Sequence, residues 1–433
     1  MTQSRQTRTL NSEADASMAL KVDRSDNSAC LSGYYQGNSF LRYDKWRVIS
    51  AFQPIYSIAH RRIVGLEALA RGIDHADRVV APVHLFSRSG DRDILELDLI
   101  CQQVHMENFK ALNPPDAWLF LNVAPSTLGH VDMYPMFLRD LIEGVGYTPN
   151  RVVIEILESS IEDESALEQT IGQYRDMGFL IAIDDFGAGH SNFERIWRIR
   201  PDIVKLDRRM VKKAGLDASV KDLLKGITSM LHNCKCLVLA EGVETVDEAL
   251  AVMDAQVDLV QGYYFARPFL LSESISTTVG LWKHLYNEFD ELSIHLLERK
   301  REQLDPYRSR FAALTVGPQK KSELEDIALA MFRLPNSIRL YQLALDGNQC
   351  HANLNAPDIQ IDGRDRLKAL ADAQGASWKR RDYYVNAVNS PGSVQATPSY
   401  FSIADGTLCV TLSVLTRLQG EDYIICCDIL QNT

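Results

Sequence analysis

The chain has 433 residues, 46% of them hydrophobic, and a formal net charge of −11. That length and apolar content point to two or three domains with a large core, and no run approaches the ~18 consecutive apolar residues of a membrane span. The acidic balance opposes a broad phosphate-tracking surface, so a small phosphate ligand held by a few arginines fits better than duplex DNA.

Residues 1–45 are rich in Ser, Asp, Asn, Arg and Thr without sustained periodicity, and are expected to form a flexible tail. Their polar start lacks the apolar segment of a signal peptide, which points to a cytoplasmic protein. From Trp46 short β-like runs alternate with helical segments. The runs are SAFQPIYSI, RIVGLEALA, AWLFLNVA, RVVIEILE, FLIAIDDF, DIVKLD, CLVLAEG and DLVQGYYF. Amphipathic helices such as ESALEQTIGQYRDMG, DASVKDLLKGITSMLHN and VDEALAVMDA lie between them. Most of the runs are apolar almost throughout, as strands buried on both faces are. A parallel TIM-like (β/α)8 barrel over residues 46–280 accounts for the pattern.

Residues 281–322 read as a helical linker, with the helix stopping near Pro306. From 323 to 433 the pattern changes again. A helix ELEDIALAMFRL is followed by RLYQLAL, an Asp346-Gly347 turn, and then WKRRDYYVNAV, SYFSI, TLCVTLSVL and YIICCDIL. This is a separate α+β unit with an antiparallel sheet. The eight cysteines are scattered, without the paired spacing of a zinc site, and read as reduced thiols.

Chemistry is concentrated where the barrel runs end. Glu67, Asn122, Glu155, Asp184 with Asp185, Lys205, Glu241 and Gln261 each stand where a buried strand opens into a loop. Five carboxylates would face the single Lys205, and such a cluster must take up protons or cations. Two divalent ions would balance it, and carboxylate and amide oxygens favour Mg²⁺ or Mn²⁺ over zinc. A two-metal centre of that kind serves phosphodiester hydrolysis. Asp207 reads instead as a helix cap.

The stretch from Ser50 to Pro268 resembles the EAL domain, whose members hydrolyse cyclic di-GMP. Glu67-Ala68-Leu69 stands within FQPIYSIAHRRIVGLEALAR, followed in order by LNVAPSTL, VVIEILESS, IDDFGAGHSNF, DIVKLDRRMV, LAEGVET and QGYYFARP. The resemblance implies that Glu67, Asn122, Glu155 and Asp184 hold one metal and that Asp185, sharing Asp184, holds the other. Lys205 would orient the bridging water, and Glu241 would complete the shell or act as base. Gln53, Leu69 and Arg71 would meet the dinucleotide, supported by Gln261 after the last strand. Glu158 matches a residue that steadies the loop after Asp185, where Ala188, His190 and Asn192 depart from the usual Thr, Tyr and Ser. A catalytically weak cyclic di-GMP receptor is the second reading, and a hydrolase for another phosphodiester the third.

The C-terminal unit resembles Cache-type sensor domains, relatives of the PAS fold. That resemblance implies a small-molecule pocket lined by Trp378, Arg381, Tyr383 and Tyr384, with Arg381 clamping a carboxylate and Asp428 placed to meet an amine. Asp382 and Ser402 depart from its pattern. A homodimer regulated through this unit follows from the two resemblances together.

Overall fold

The computed structural model describes residues 32–86, 91–124, 133–157, 164–188, 193–273, 279–317, 320–357, 373–402 and 407–431. Glu158, His190, Asn192 and the expected tail as far as residue 31 lie outside the described residues. The chain divides into two compact units, Met1–Glu291 and Leu292–Thr433.

The first unit carries β1 (Gly33–Tyr35), β2 (Asn38–Tyr43), β3 (Trp46–Ser57), β4 (Arg62–Ile73), β5 (Val79–Val80), β6 (Trp118–Asn122), β7 (Val152–Leu157), β8 (Leu180–Phe186), β9 (Ile203–Leu206), β10 (Leu237–Ala240) and β11 (Leu259–Val260). β3, β4 and β6 to β11 close into an eight-stranded barrel, because β3 pairs with both β4 and β11. The connecting helices form where apolar residues recur at helical spacing behind a cap. In Ala218–Asn233 the Asp217 carboxylate accepts from Ser219 N, and Leu224, Ile227, Thr228 and Leu231 form one buried stripe. Val246–Asp254 opens on a reciprocal capping box between Thr245 and Glu248. Asp207 caps Arg208–Ala214, as its position implies.

The barrel is mixed rather than wholly parallel. β3 runs antiparallel to β4 and to β11. Only Ile58, Ala59, His60 and Arg61 separate β3 from β4, too few for the crossover that parallel neighbours require. The strands of this unit also begin before Trp46. Gln36 and Gly37 take positive φ and turn β1 into β2, and Leu41 and Asn38 are buried.

The second unit holds β12 (Ser337–Leu343), β13 (Leu354–Asn355), β14 (Gln395–Ala396), β15 (Tyr400–Phe401), β16 (Leu408–Leu418) and β17 (Glu421–Leu430). Every pairing is antiparallel, in the order β13-β12-β17-β16-β14 with β15 on β16. Strand alternation divides the apolar residues between two cores. Leu340, Leu412, Ile425 and Cys427 pack with Ile327 and Met331, whereas Tyr341, Leu343, Ile424 and Cys426 pack with Tyr383, Tyr384 and Ala387. The vicinal pair Cys426-Cys427 is thus split across the sheet, and both are free thiols. WKRRDYYVNAV supplies a helix, Asp382–Asn389.

Pro306 does not stop the long helix, which runs Val279–Thr315 with the proline inside it. A proline there forfeits one backbone hydrogen bond. Downstream, Phe311 and Leu314 are almost wholly buried in the second core, and their burial outweighs that loss.

Candidate active site

Strand alternation builds the site. Ile55, Phe120, Val153, Ala182, Ile203, Leu239 and Leu259 form an apolar layer inside the barrel. Side chains two residues further along a strand share its face. The next layer is therefore Gln53 on the reversed β3, then Asn122, Glu155, Asp184, Lys205, Glu241 and Gln261. Gly65 stands in the lower layer on β4, where an added Cβ would come within 2.6 Å of the Phe120 ring. Two residues on, Glu67 joins the upper ring opposite Gln53. The polar strand-end residues thus form one stacked layer on a hydrophobic floor.

Asp185 joins that layer by breaking the rule. In a regular strand it would face away from Asp184. Its φ is +56°, and the β8–β9 register shifts between Ile183 and Phe186. One oxygen each from Asp184, Asp185 and Glu241 consequently lie within 4.8 Å of one another. Gly262 seats Gln261, because a Cβ at that position would fall 2.1 Å from the Val243 carbonyl oxygen.

Lys205, 1% exposed, is the hub. Its Nζ lies 2.6 Å from Glu155, 2.7 Å from Glu241, 3.2 Å from Asp184 and 3.8 Å from Glu67. Glu67 accepts from Asn122 Nδ2 at 2.9 Å and from Gln261 Nε2 at 2.7 Å. Burial raises the Glu67 pKa, but Lys205 and the two amides outweigh it and hold the carboxyl below its usual range. Glu155 is pushed well up, by burial first and then by Glu67 and Asp184. Burial, then Asp184 and Glu67, raise Glu241 to about 8 against the pull of Lys205. Asp185 is raised by burial, Asp184 and Asp207. Lys205 is raised well above its ordinary value by its four carboxylates, against the opposing effect of burial.

One lysine does not balance this cluster, and its atoms fit divalent cations. Glu155 Oε2 and Gln261 Oε1 are buried and meet no hydrogen-bond donor among the described residues. Glu67, Glu155, Asp184, Asp185, Glu241 and Asn122 offer the hard oxygens that Mg²⁺ and Mn²⁺ prefer.

The crowding has a measurable consequence for the cation-free protein. Because the folded pKa of Glu241 lies above the ordinary 4.5 of a glutamate, the folded state holds the extra proton up to about pH 8. Stability should therefore fall as pH rises through that window, by at most ~1.4 kcal/mol per pH unit from this group. Glu155 acts in the same direction, whereas the depressed Glu67 acts only below 4.5. Melting curves in chelator should show the decline, and Glu241→Gln should flatten it. Equal slopes for the two proteins would sink this account.

The sequence profile of the EAL domain matches residues 42–268, just over half of the chain. The chain belongs to the EAL domain family. The probable cyclic di-GMP phosphodiesterases PdeN and PdeI of Escherichia coli K12 are 26% and 28% identical to it over 242 and 228 residues. Those matches cover 52% and 51% of this chain but 44% and 29% of the relatives, so the chain matches less than half of their length. The Bacillus subtilis YkuI protein, solved with an EAL domain in complex with its substrate cyclic di-GMP and calcium, shares the fold. Its TM-score is 0.75 at 21% identity, covering 90% of this chain and 97% of that one.

In this EAL unit, Glu67, Leu69 and Arg71 alternate along one face of β4, and Leu69 and Arg71 are half-buried. Beside them an open cavity of about 330 Å³ runs from Glu67 and Asn122 past Leu69 to Pro82, Phe86 and His105. The helix Asp91–Leu112 backs it with polar groups that the barrel runs did not reveal. Gln102 Nε2 donates to the Asn122 carbonyl at 2.9 Å, and Tyr134 OH donates to Asp98 at 2.8 Å. Asp98, Gln102 and His105 stand at i, i+4 and i+7, polar residues on an otherwise apolar helical face. That spacing is the signal that marks them.

The second unit has a small pocket of its own, of about 30 Å³, lined among others by Trp378, Arg381, Tyr383 and Asp428. Tyr384 is not on it: its hydroxyl donates to the Leu345 carbonyl at 2.6 Å. Nor does Asp428 await an amine. Arg339, absent from the expected set, donates to Asp428 Oδ2 through Nε at 2.8 Å, and Thr411 donates to Oδ1 at 2.6 Å. Both members of that ion pair are buried, so its carboxylate is already neutralised from within the sheet.

Proposed function

We propose that this chain is a metal-dependent phosphodiesterase that opens cyclic di-GMP to linear pGpG. The observation that carries the reading is the ring of four carboxylates on Lys205, with Asp185 beside Asp184 and Glu241, at the barrel mouth of a member of the EAL family. The names of PdeN and PdeI and the cyclic di-GMP bound to YkuI support the choice of substrate. Glu67, Asn122, Glu155 and Asp184 would hold one Mg²⁺ or Mn²⁺, and Asp185, sharing Asp184, would hold the second, with Glu241 completing the shell. Two such ions would acidify a water and offset charge developing on the phosphoryl oxygens.

The chain's own groups position and exclude. Gln53, Leu69 and Arg71 receive the dinucleotide, the guanidinium meeting a phosphate. Lys205 donates a hydrogen bond to the attacking water and keeps it in line with the scissile bond. Glu241, which the bound cations would hold ionised, takes one proton of that water. The water oxygen joins phosphorus and sheds its second proton to solvent, the bond to the 3′ oxygen breaks, and that oxygen leaves as an alkoxide that takes a proton from solvent. Gln261 holds Glu67 in place, and Glu158 steadies the loop that follows Asp185.

The reading extends to the whole chain as an EAL barrel over 46–280, a linker over 281–322 and a Cache/PAS-like sensor over 323–433, in a cytoplasmic homodimer. Trp378, Arg381 and Tyr383 line the sensor pocket, whose occupant biases turnover.

The full chain should be incubated with cyclic di-GMP plus Mg²⁺ or Mn²⁺, and in parallel with chelator. Linear pGpG appearing only with metal is expected. Tight binding without product under either metal would make the chain a receptor, and neither binding nor product would overturn the reading.

A further inference from the structure

His105 lies deep in the barrel-mouth cavity, 4% exposed, and no step above uses it. Its tautomer follows from a chain of hydrogen bonds that starts at β2. The Ser39 backbone N–H must meet an acceptor, and it meets Asn108 Oδ1 at 2.7 Å. That fixes the Asn108 amide, so its Nδ2 donates to the Ser39 carbonyl at 3.0 Å and to Ser50 Oγ at 3.1 Å. Ser50 therefore uses an Oγ lone pair on Asn108 and has its own proton to place. His105 Nδ1 lies 2.8 Å away and takes it. With Nδ1 accepting, a neutral imidazole carries its proton on Nε2.

The imidazole is neutral. Burial, with Arg71 nearby, depresses its pKa to about 3. Arg71 NH1 donates to the Ala70 carbonyl at 2.8 Å.

We infer that His105 presents a locked Nε2–H donor to the cavity, and that this donor selects a guanine over an adenine base. The inference rests on the cyclic-dinucleotide reading above. Guanine offers adjacent acceptors, N7 and O6, on the edge where adenine pairs an N7 acceptor with an N6 amino donor. N7 accepts in both bases, so the donor discriminates at position 6, where a fixed N–H is accepted by guanine O6 and confronts the adenine amino group. His105 is thus a specificity residue for the base, while the carboxylate ring acts on the phosphate. The β1–β2 hairpin acquires a function as well, because Ser39 is where the tautomer is set.

The test compares His105→Phe, which removes the donor, with His105→Gln, which keeps an N–H near Nε2 but lets the amide rotate. KM with Mn²⁺ and metal-free Kd would be measured for cyclic di-GMP and cyclic di-AMP. His105→Phe should weaken cyclic di-GMP about tenfold, the worth of roughly one hydrogen bond, with kcat within twofold. His105→Gln should keep cyclic di-GMP within about threefold of wild type and narrow the preference over cyclic di-AMP, because its rotated carbonyl accepts from the adenine amino group. Ser50→Ala, which frees the tautomer, should narrow that preference too. If Phe and Gln were equally damaging and left the guanine preference intact, His105 would be a packing residue and the inference would fall. Should His105→Phe fold poorly, the Gln and Ser50→Ala ratios decide alone, and an unchanged preference in both overturns the inference. Wild type binding cyclic di-GMP with neither variant altered would sink only the His105 proposal. Wild type neither binding nor hydrolysing it would remove the phosphodiesterase reading and this inference together.

Discussion

Glu67→Ala is expected to lower metal-dependent turnover of cyclic di-GMP on the order of a thousandfold while leaving the barrel folded. The carboxylate is where three strands meet. It accepts from Asn122 on β6, from Gln261 just past β11, and faces Lys205 on β9. Truncation removes the proposed metal ligand and leaves two amide donors without their acceptor, at roughly 1–3 kcal/mol each if water does not replace it. Against that, deleting one negative charge relieves the repulsion that raises Glu155 and Glu241. The two effects oppose each other in the cation-free protein, so its melting temperature should move by only a few degrees. They do not oppose each other in catalysis, where the cations lose a ligand. Turnover within tenfold of wild type, in a variant that melts normally, would show that Glu67 is not a ligand the chemistry needs.

The site was more legible in the sequence than the fold around it. The ring of polar strand ends follows from the two-residue period alone: once Phe120, Val153 and Ile203 are inside, Asn122, Glu155 and Lys205 must be inside as well. Asp184 and Asp185 were paired by adjacency, but only the positive φ of Asp185 shows how two consecutive carboxylates reach one side. Apolar runs carry no arrow, so the antiparallel β3 was hidden until the short link to β4 was weighed as a connection. The β1–β2 hairpin was missed because GYYQGNSFLRY is too polar and too short to stand out. Proline rules placed a stop at Pro306, since downstream core contacts are long-range and leave no local mark. In the second unit the aromatic and arginine residues advertised a pocket, while Arg339 sat inside an apolar strand run, where a buried partner for Asp428 has no sequence signature.

Lys205→Met should separate the two tasks of the lysine, charge balance and catalysis. The ammonium is buried among four carboxylates, and among the described residues no other cation makes an ion pair with them. Removing one partner of a buried ion pair commonly costs about 3–5 kcal/mol, because the other charge stays buried and unpaired. Here the loss is tempered, since Glu155 and Glu241 already lean toward their protonated forms. The cation-free variant should nonetheless melt several degrees below wild type, with the deficit widening as pH rises and more carboxylates ionise. Mn²⁺ should then recover most of the stability, because divalent ions supply more positive charge than the lost ammonium. Turnover should not recover with it: a methionine offers no donor to the attacking water, and a loss of at least about a hundredfold is expected even with saturating metal. A variant that regained both stability and rate with Mn²⁺ would reduce Lys205 to a counter-charge for the metal-free protein, and the water would need another donor. A variant as stable as wild type in chelator would contradict the electrostatic account of the ring itself.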